Sequence, residues 1–73
     1  MNFNLSLREK NVLALIAQGH TDKEIAELFD LSVRTIHSHI RSIFDKMNAK
    51  SRAHAVSIYY QSHPNWKAGR RLK

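Results

Sequence analysis

Ser32-Val-Arg-Thr-Ile-His-Ser-His-Ile-Arg-Ser-Ile-Phe-Asp-Lys-Met-Asn48 carries two patterns at once. Val33, Ile36, Ile40, Ile43, Phe44 and Met47 recur at spacings of three and four. On a helix that advances about 100° per residue, this spacing forms one apolar stripe. The opposite face is centred on Ser38, with Arg34, Arg41 and Asp45 on one flank, Thr35, Ser42 and Lys46 on the other, and His37 and His39 at its margins. One side of this helix needs a core, and the other offers hydrogen-bond donors and positive charge.

The start of the stretch is well marked. Ser32 is a good N-cap, because its hydroxyl can accept from free N–H groups of the first turn. Leu31 before the cap and Ile36 at the fourth helical position have the spacing of a hydrophobic staple, which fixes the angle at which the chain enters the helix. A helix-turn-helix reader of DNA needs its second helix held firmly in this way.

Working outward, Leu5-Ser-Leu-Arg-Glu9 opens a first helix with a capping-box pattern, Ser6 followed by Glu9. Val12, Leu13, Leu15, Ile16 and Ala17 supply its apolar side, and Gly19 ends it by accepting the left-handed conformation past a helix C-terminus. Thr21-Asp-Lys-Glu24 repeats the capping box and starts a short second helix, with Ile25, Ala26, Leu28 and Phe29 as its expected buried positions. Asp30-Leu-Ser32 leaves room only for a tight turn. After Asn48-Ala-Lys-Ser51, Ser51 caps a fourth helix containing Ala53, Ala55, Val56, Ile58, Tyr59 and Tyr60, which Pro64 stops. No segment alternates like a strand. The expected fold is all-α, a four-helix helix-turn-helix domain with helices at about 7–18, 22–29, 33–47 and 52–62. Residues 1–63 form the domain, and 64–73 read as a flexible basic tail.

Length and composition narrow the function classes. A chain of 73 residues holds one domain with a small core. It has no cysteine, so disulfides and thiolate metal sites are excluded, which fits a reducing cytosol. No apolar run approaches the roughly 20 residues of a membrane span, and Met-Asn-Phe-Asn-Leu lacks the features of a signal peptide. A cytoplasmic protein is expected, with no membrane partner. The net charge of +6 is unevenly spread. Lys67, Arg70, Arg71 and Lys73 carry no acidic companion, Arg34–Arg52 holds five basic residues and one acidic one, and Asp22, Glu24, Glu27 and Asp30 make the preceding segment acidic. A basic element beside an acidic one suggests an oriented surface for a polyanion, although a basic face can equally be simply solvated.

Leu5-Ser-Leu-Arg-Glu9, Val12-Leu13, Ala17-Gln-Gly19, Thr21-Asp-Lys-Glu-Ile-Ala26, Leu31-Ser32, Thr35-Ile-His-Ser-His39, Ile43, Lys46-Met47 and Arg52-Ala-His-Ala-Val56 together resemble the LuxR/FixJ/GerE-type helix-turn-helix domain of bacterial transcription regulators. The match runs in order and without a gap over about residues 5–58. The resemblance implies a DNA-binding domain whose third helix enters the major groove and whose fourth helix commonly forms a dimer contact. It places His37, Ser38 and Arg41 where members touch base edges, and Lys23, Thr35, His39 and Lys46 on or near positions that touch the DNA backbone. The sequence departs from the family where His37 replaces a common Lys or Arg, Ser38 stands where another residue is usual, and Asp22 replaces a frequent Asn and Ala49 a frequent Val.

The chemistry of these side chains agrees. The Arg41 guanidinium can give two parallel hydrogen bonds to guanine O6 and N7, worth about 1–3 kcal/mol of discrimination. The alternative is a surface pair with Asp45 at i,i+4. Ser38 can donate or accept and so adds contact with little sequence choice. His37 can donate to a base acceptor or a phosphate, more strongly when protonated. Lys23, Arg34, Lys46 and Lys50 suit phosphate contacts, which set register and affinity. Asp22, at the start of the second helix, works against an anion there. Arg52 is expected to pair with Glu9, tying the fourth helix to the first, with a phosphate contact as the alternative. Val56, Tyr59 and Tyr60 exceed what so small a core is expected to bury and are the expected dimer face, with completion of the core as the alternative.

Other functions find less support. His37 and His39 diverge by about 200° on a helix, and no His-x-x-x-His pair exists, so no metal or other cofactor is expected. No serine or threonine has a His and an acid in a nucleophile pattern, so no enzyme is expected. The leading reading is sequence-specific binding of double-stranded DNA at the bacterial nucleoid, as a homodimer. The alternatives are a protein-interaction module using the fourth helix and a non-specific nucleic-acid binder driven by the tail.

Overall fold

The computed structural model describes residues 3–66. Four helices follow in order: α1, Leu7–Ala17; α2, Asp22–Phe29; α3, Val33–Met47; and α4, Arg52–Ser62. The expected bounds hold to within one residue, the difference being Gln18, which caps α1 instead of extending it. Among the described residues there is no strand.

Local chemistry sets the ends. The capping boxes Ser6/Glu9 and Thr21/Glu24 both form, and Ser32 and Ser51 accept from the backbone N–H groups of Thr35 and His54. Each such cap contributes about 1 kcal/mol. Gly19 follows α1 at φ 93°. Asp30 and Asn48 end α2 and α3 in the left-handed region at φ 56° and 54°, a conformation that short polar side chains tolerate best among non-glycine residues. The left-handed Asp30, followed by Leu31 and the cap Ser32, makes the tight turn of the helix-turn-helix.

The core joins Val12 and Leu13 of α1, Ile25 and Ala26 of α2, Ile36, Ile40, Ile43 and Met47 of α3, and Ala55 and Tyr59 of α4, with Leu5 below them. α3 packs against the other three helices, and α1 also packs against α4. The apolar stripe of α3 is therefore its anchor, as expected. Two expectations fail at its margins. Val33, at the first helical position, is 37% exposed, and Leu28 is 61% exposed. The inward arc of α2 runs through Asp22, Ile25, Ala26 and Phe29, and Leu28 points about 110° away from its centre. That geometry also turns Asp22 inward.

The described chain continues past the expected domain end at residue 63. The backbone N–H of Trp66 donates to the His63 carbonyl at 2.9 Å. Its ring stands edge-on to Tyr59, centroids 4.5 Å apart, and tilts against Tyr60 at 4.9 Å. Trp66 thus packs against α4 just past the expected domain end at residue 63. The basic residues of that tail lie outside the described residues.

Candidate nucleic-acid interface

With its stripe buried, α3 presents Arg34, His37, Ser38, Arg41 and Asp45 to solvent, while Thr35 and His39 are half-buried. The three expected base-contact residues share this open face. Arg41 makes no ion pair with Asp45 among the described residues, so its guanidinium is available. Thr35 contributes to the cap of its own helix: its N–H donates to Ser32 Oγ at 3.1 Å, and the two hydroxyls lie 3.0 Å apart.

One flank of α3 is tied to α1 through a buried acid. Glu9 is 5% exposed. Its Oε1 accepts from Lys46 Nζ at 2.8 Å and from the Ser6 N–H at 2.8 Å, and its Oε2 accepts from Ser42 Oγ at 2.6 Å. Lys46 also donates to the Asn4 carbonyl at 3.3 Å. Burial pushes the Glu9 carboxyl upward, but the hydrogen bonds from Lys46, Ser42 and Ser6 and the Lys46 charge outweigh it and hold it at about 2. Lys46, expected at the DNA backbone, pairs with Glu9 while its side chain stays 36% exposed. A sequence signal existed: Glu9 stands three and four residues before the buried Val12 and Leu13, hence on the inward face of α1, and Ser42 and Lys46 are one turn apart on one flank of α3.

A second acid joins three helices. Asp22 at the first turn of α2 accepts from both terminal nitrogens of Arg52 on α4, with Nη2 to Oδ2 at 2.7 Å, and from His37 Nε2 on α3 at 2.8 Å. The bidentate bonds from Arg52 hold the Asp22 carboxyl below its ordinary value against partial burial, with His37 adding to the effect, and Asp22 in turn raises the Arg52 guanidinium. The expected Arg52–Glu9 pair does not form. Each acid takes the cation that the helix crossings bring to it, Lys46 for Glu9 and Arg52 for Asp22.

A capped two-helix turn with a clamped second helix and an open, basic outer face is the architecture of a helix-turn-helix reader. Residues 3–59 match the model of the family described as bacterial regulatory proteins, luxR family. The chain belongs to this family. The luxR family is one of transcription regulators, and membership implies DNA binding in the regulation of transcription. The luxR-family domain is 35% identical over 60 residues to the transcriptional regulatory protein LiaR of Bacillus subtilis, covering 82% of this chain and 28% of that protein. It is 46% identical over 52 residues to the oxygen regulatory protein NreC of Staphylococcus carnosus, covering 71% and 24% of the two chains. It is 39% identical over 57 residues to the nitrate/nitrite response regulator protein NarP of Escherichia coli, covering 78% and 26%. The chain thus spans about a quarter of the length of the curated relatives it matches.

The remaining positions of this luxR-family domain divide cleanly. Lys23 and Lys50 are exposed. On α4, Val56 and Tyr60 are half-buried, but Tyr59 is 8% exposed and belongs to the core. Placing Tyr59 on a dimer face is therefore corrected: it is four residues after the fully buried Ala55, on the same inward side of the helix, and stacks on His63 at 4.2 Å. Among the described residues no group of three or more His, Asp or Glu could hold a metal ion, and no helix is long and apolar enough to cross a membrane.

Proposed function

We propose that this domain binds a particular sequence of double-stranded DNA with α3 in the major groove, and so serves bacterial transcription regulation at the nucleoid, in the cytoplasm. The observation that carries this reading is the division of α3. Ile36, Ile40, Ile43 and Met47 are buried, while Ser38 and Arg41 are exposed on the opposite side and His37 is exposed at its margin. Ser38 and Arg41 offer hydrogen bonds to base edges, and Arg41 is the strongest discriminator because its fork matches guanine O6 and N7. Lys23, Arg34 and Lys50 are exposed and Thr35 and His39 half-buried, and all five suit the DNA backbone. Lys46 acts at one remove, by holding the flank of α3 to Glu9. Homodimerisation through the Val56 and Tyr60 side of α4 would place two such helices on paired half-sites, since two-fold operators mirror two-fold proteins.

The test is selection of bound duplexes from a random pool, followed by titration of selected and scrambled duplexes at two salt concentrations. A preference that survives added salt is the expected result. A steep salt slope with little preference would favour binding driven by the tail charges instead, and no binding at all would favour a protein partner.

A further inference from the structure

His37 stands at a base-reading position, yet it does not choose its own protonation pattern. Its Nε2 lies 2.8 Å from Oδ2 of Asp22, and the same carboxylate receives both terminal nitrogens of Arg52. An ionised carboxylate only accepts hydrogen bonds, so the hydrogen in the His37 contact sits on Nε2. In a neutral imidazole one ring nitrogen then donates and the other accepts. In that neutral form Nδ1 keeps a lone pair, on a side chain that is 59% exposed. The sequence by itself suggested the reverse, a histidine donating to a base acceptor.

We propose that Asp22 sets the tautomer with which His37 reads DNA, so that Nδ1 enters the groove as an acceptor and selects the exocyclic amine of an adenine or a cytosine. Guanine O6, guanine N7 and thymine O4 are acceptors and are disfavoured opposite that lone pair. Asp22 never touches the DNA. It is a positioning residue, and Arg52 supports it by binding both carboxylate oxygens and keeping the group ionised; the lowered Asp22 carboxyl agrees. The inference rests on the DNA-reading role of α3 proposed above.

Two measurements test it separately. The first needs no DNA. Nitrogen-15 NMR of the imidazoles in the free domain at pH 8 is expected to show His37 protonated on Nε2 and bare on Nδ1. Protonation on Nδ1 overturns the proposal. In Asp22→Asn, whose amide can donate as well as accept, the tautomers are expected to mix; a variant that fails to fold by circular dichroism leaves the wild-type spectrum as the deciding result.

The second uses duplexes selected from a random pool. The base pair whose preference disappears in His37→Ala marks the contact. Deleting the exocyclic amine there, with purine for adenine or 2-pyrimidinone for cytosine, is expected to weaken wild-type binding about fivefold or more and to leave His37→Ala unaffected. If affinity instead falls on 7-deaza substitution of the purine, which removes an acceptor, Nδ1 is donating and the proposal fails. A His37→Ala variant that keeps every preference also overturns it. If the domain selects no sequence although Nε2 carries the proton, the DNA-reading role itself has failed, and the role of Asp22 in reading goes with it.

Discussion

The Lys46 ammonium lies 2.8 Å from Oε1 of Glu9, a residue with 5% of its surface exposed. This contact locks one flank of α3 to the first helix. Lys46 keeps 36% of its side chain in solvent, so the pair loses less hydration than a fully buried one, while Glu9 depends on its partners to stay charged.

Removing one partner strands the other. Lys46→Met is expected to cost about 2–3 kcal/mol, below the range for fully buried pairs because water still reaches the ammonium. Urea denaturation at neutral pH checks it, and a loss under about 0.5 kcal/mol would show the pair to be marginal.

The same contact gives a pH dependence with a definite sign. Glu9 is held at about 2 in the folded domain against 4.5 as its ordinary value. Its stabilisation is thus complete above pH 4.5 and disappears as the pH falls from there towards 2. Each unit is about 1.4 kcal/mol, and screening at Lys46 brings the expected loss to on the order of 2 kcal/mol. Asp22, also lowered, acts in the same direction. Melting curves across this window would show a flatter profile for Glu9→Gln than for the wild type.

Arg41→Ala is expected to relax preference at one or two base pairs by about 1–3 kcal/mol, whereas Arg34→Ala should weaken all duplexes alike and lower the salt slope by about one. Competition titrations against single-base variants separate the two. An unchanged preference in Arg41→Ala would remove Arg41 from the reading face.

Tyr59 is buried and Val56 half-buried on the same helix, and their substitutions have different expected outcomes. Tyr59→Ala opens a cavity beneath Phe3, His63 and Trp66 and is expected to cost about 3–4 kcal/mol of stability. Val56→Glu is expected to leave folding largely intact and to abolish any dimer seen by sedimentation. A dimer that survives Val56→Glu would place the contact elsewhere.

Ile43 is fully buried where α3 meets the rest of the core. Ile43→Ala is expected to lose about 2–5 kcal/mol, enough to unfold much of so small a domain at 37 °C. Selected DNA should raise its melting temperature, because a ligand of the folded state shifts the balance by mass action.

The helices, their caps, the tight turn and the two-sided character of α3 were all legible along the chain. Those features arise from side chains within a few residues of one another. Ser6 finds Glu9, Thr21 finds Glu24, and Ile36, Ile40 and Ile43 share a stripe through helical spacing alone. Which distant groups meet depends instead on how the helices pack. Lys46 and Glu9 are 37 residues apart, and Arg52 and Asp22 are 30 apart. Either cation could have served either acid on charge grounds. The crossing of α1, α2 and α4 over α3 settled the pairing, put Tyr59 in the core and left Leu28 outside. It also set the imidazole of His37 against Asp22, a contact to which spacing along the chain gives no clue, because it depends on where separate helices come to rest against one another.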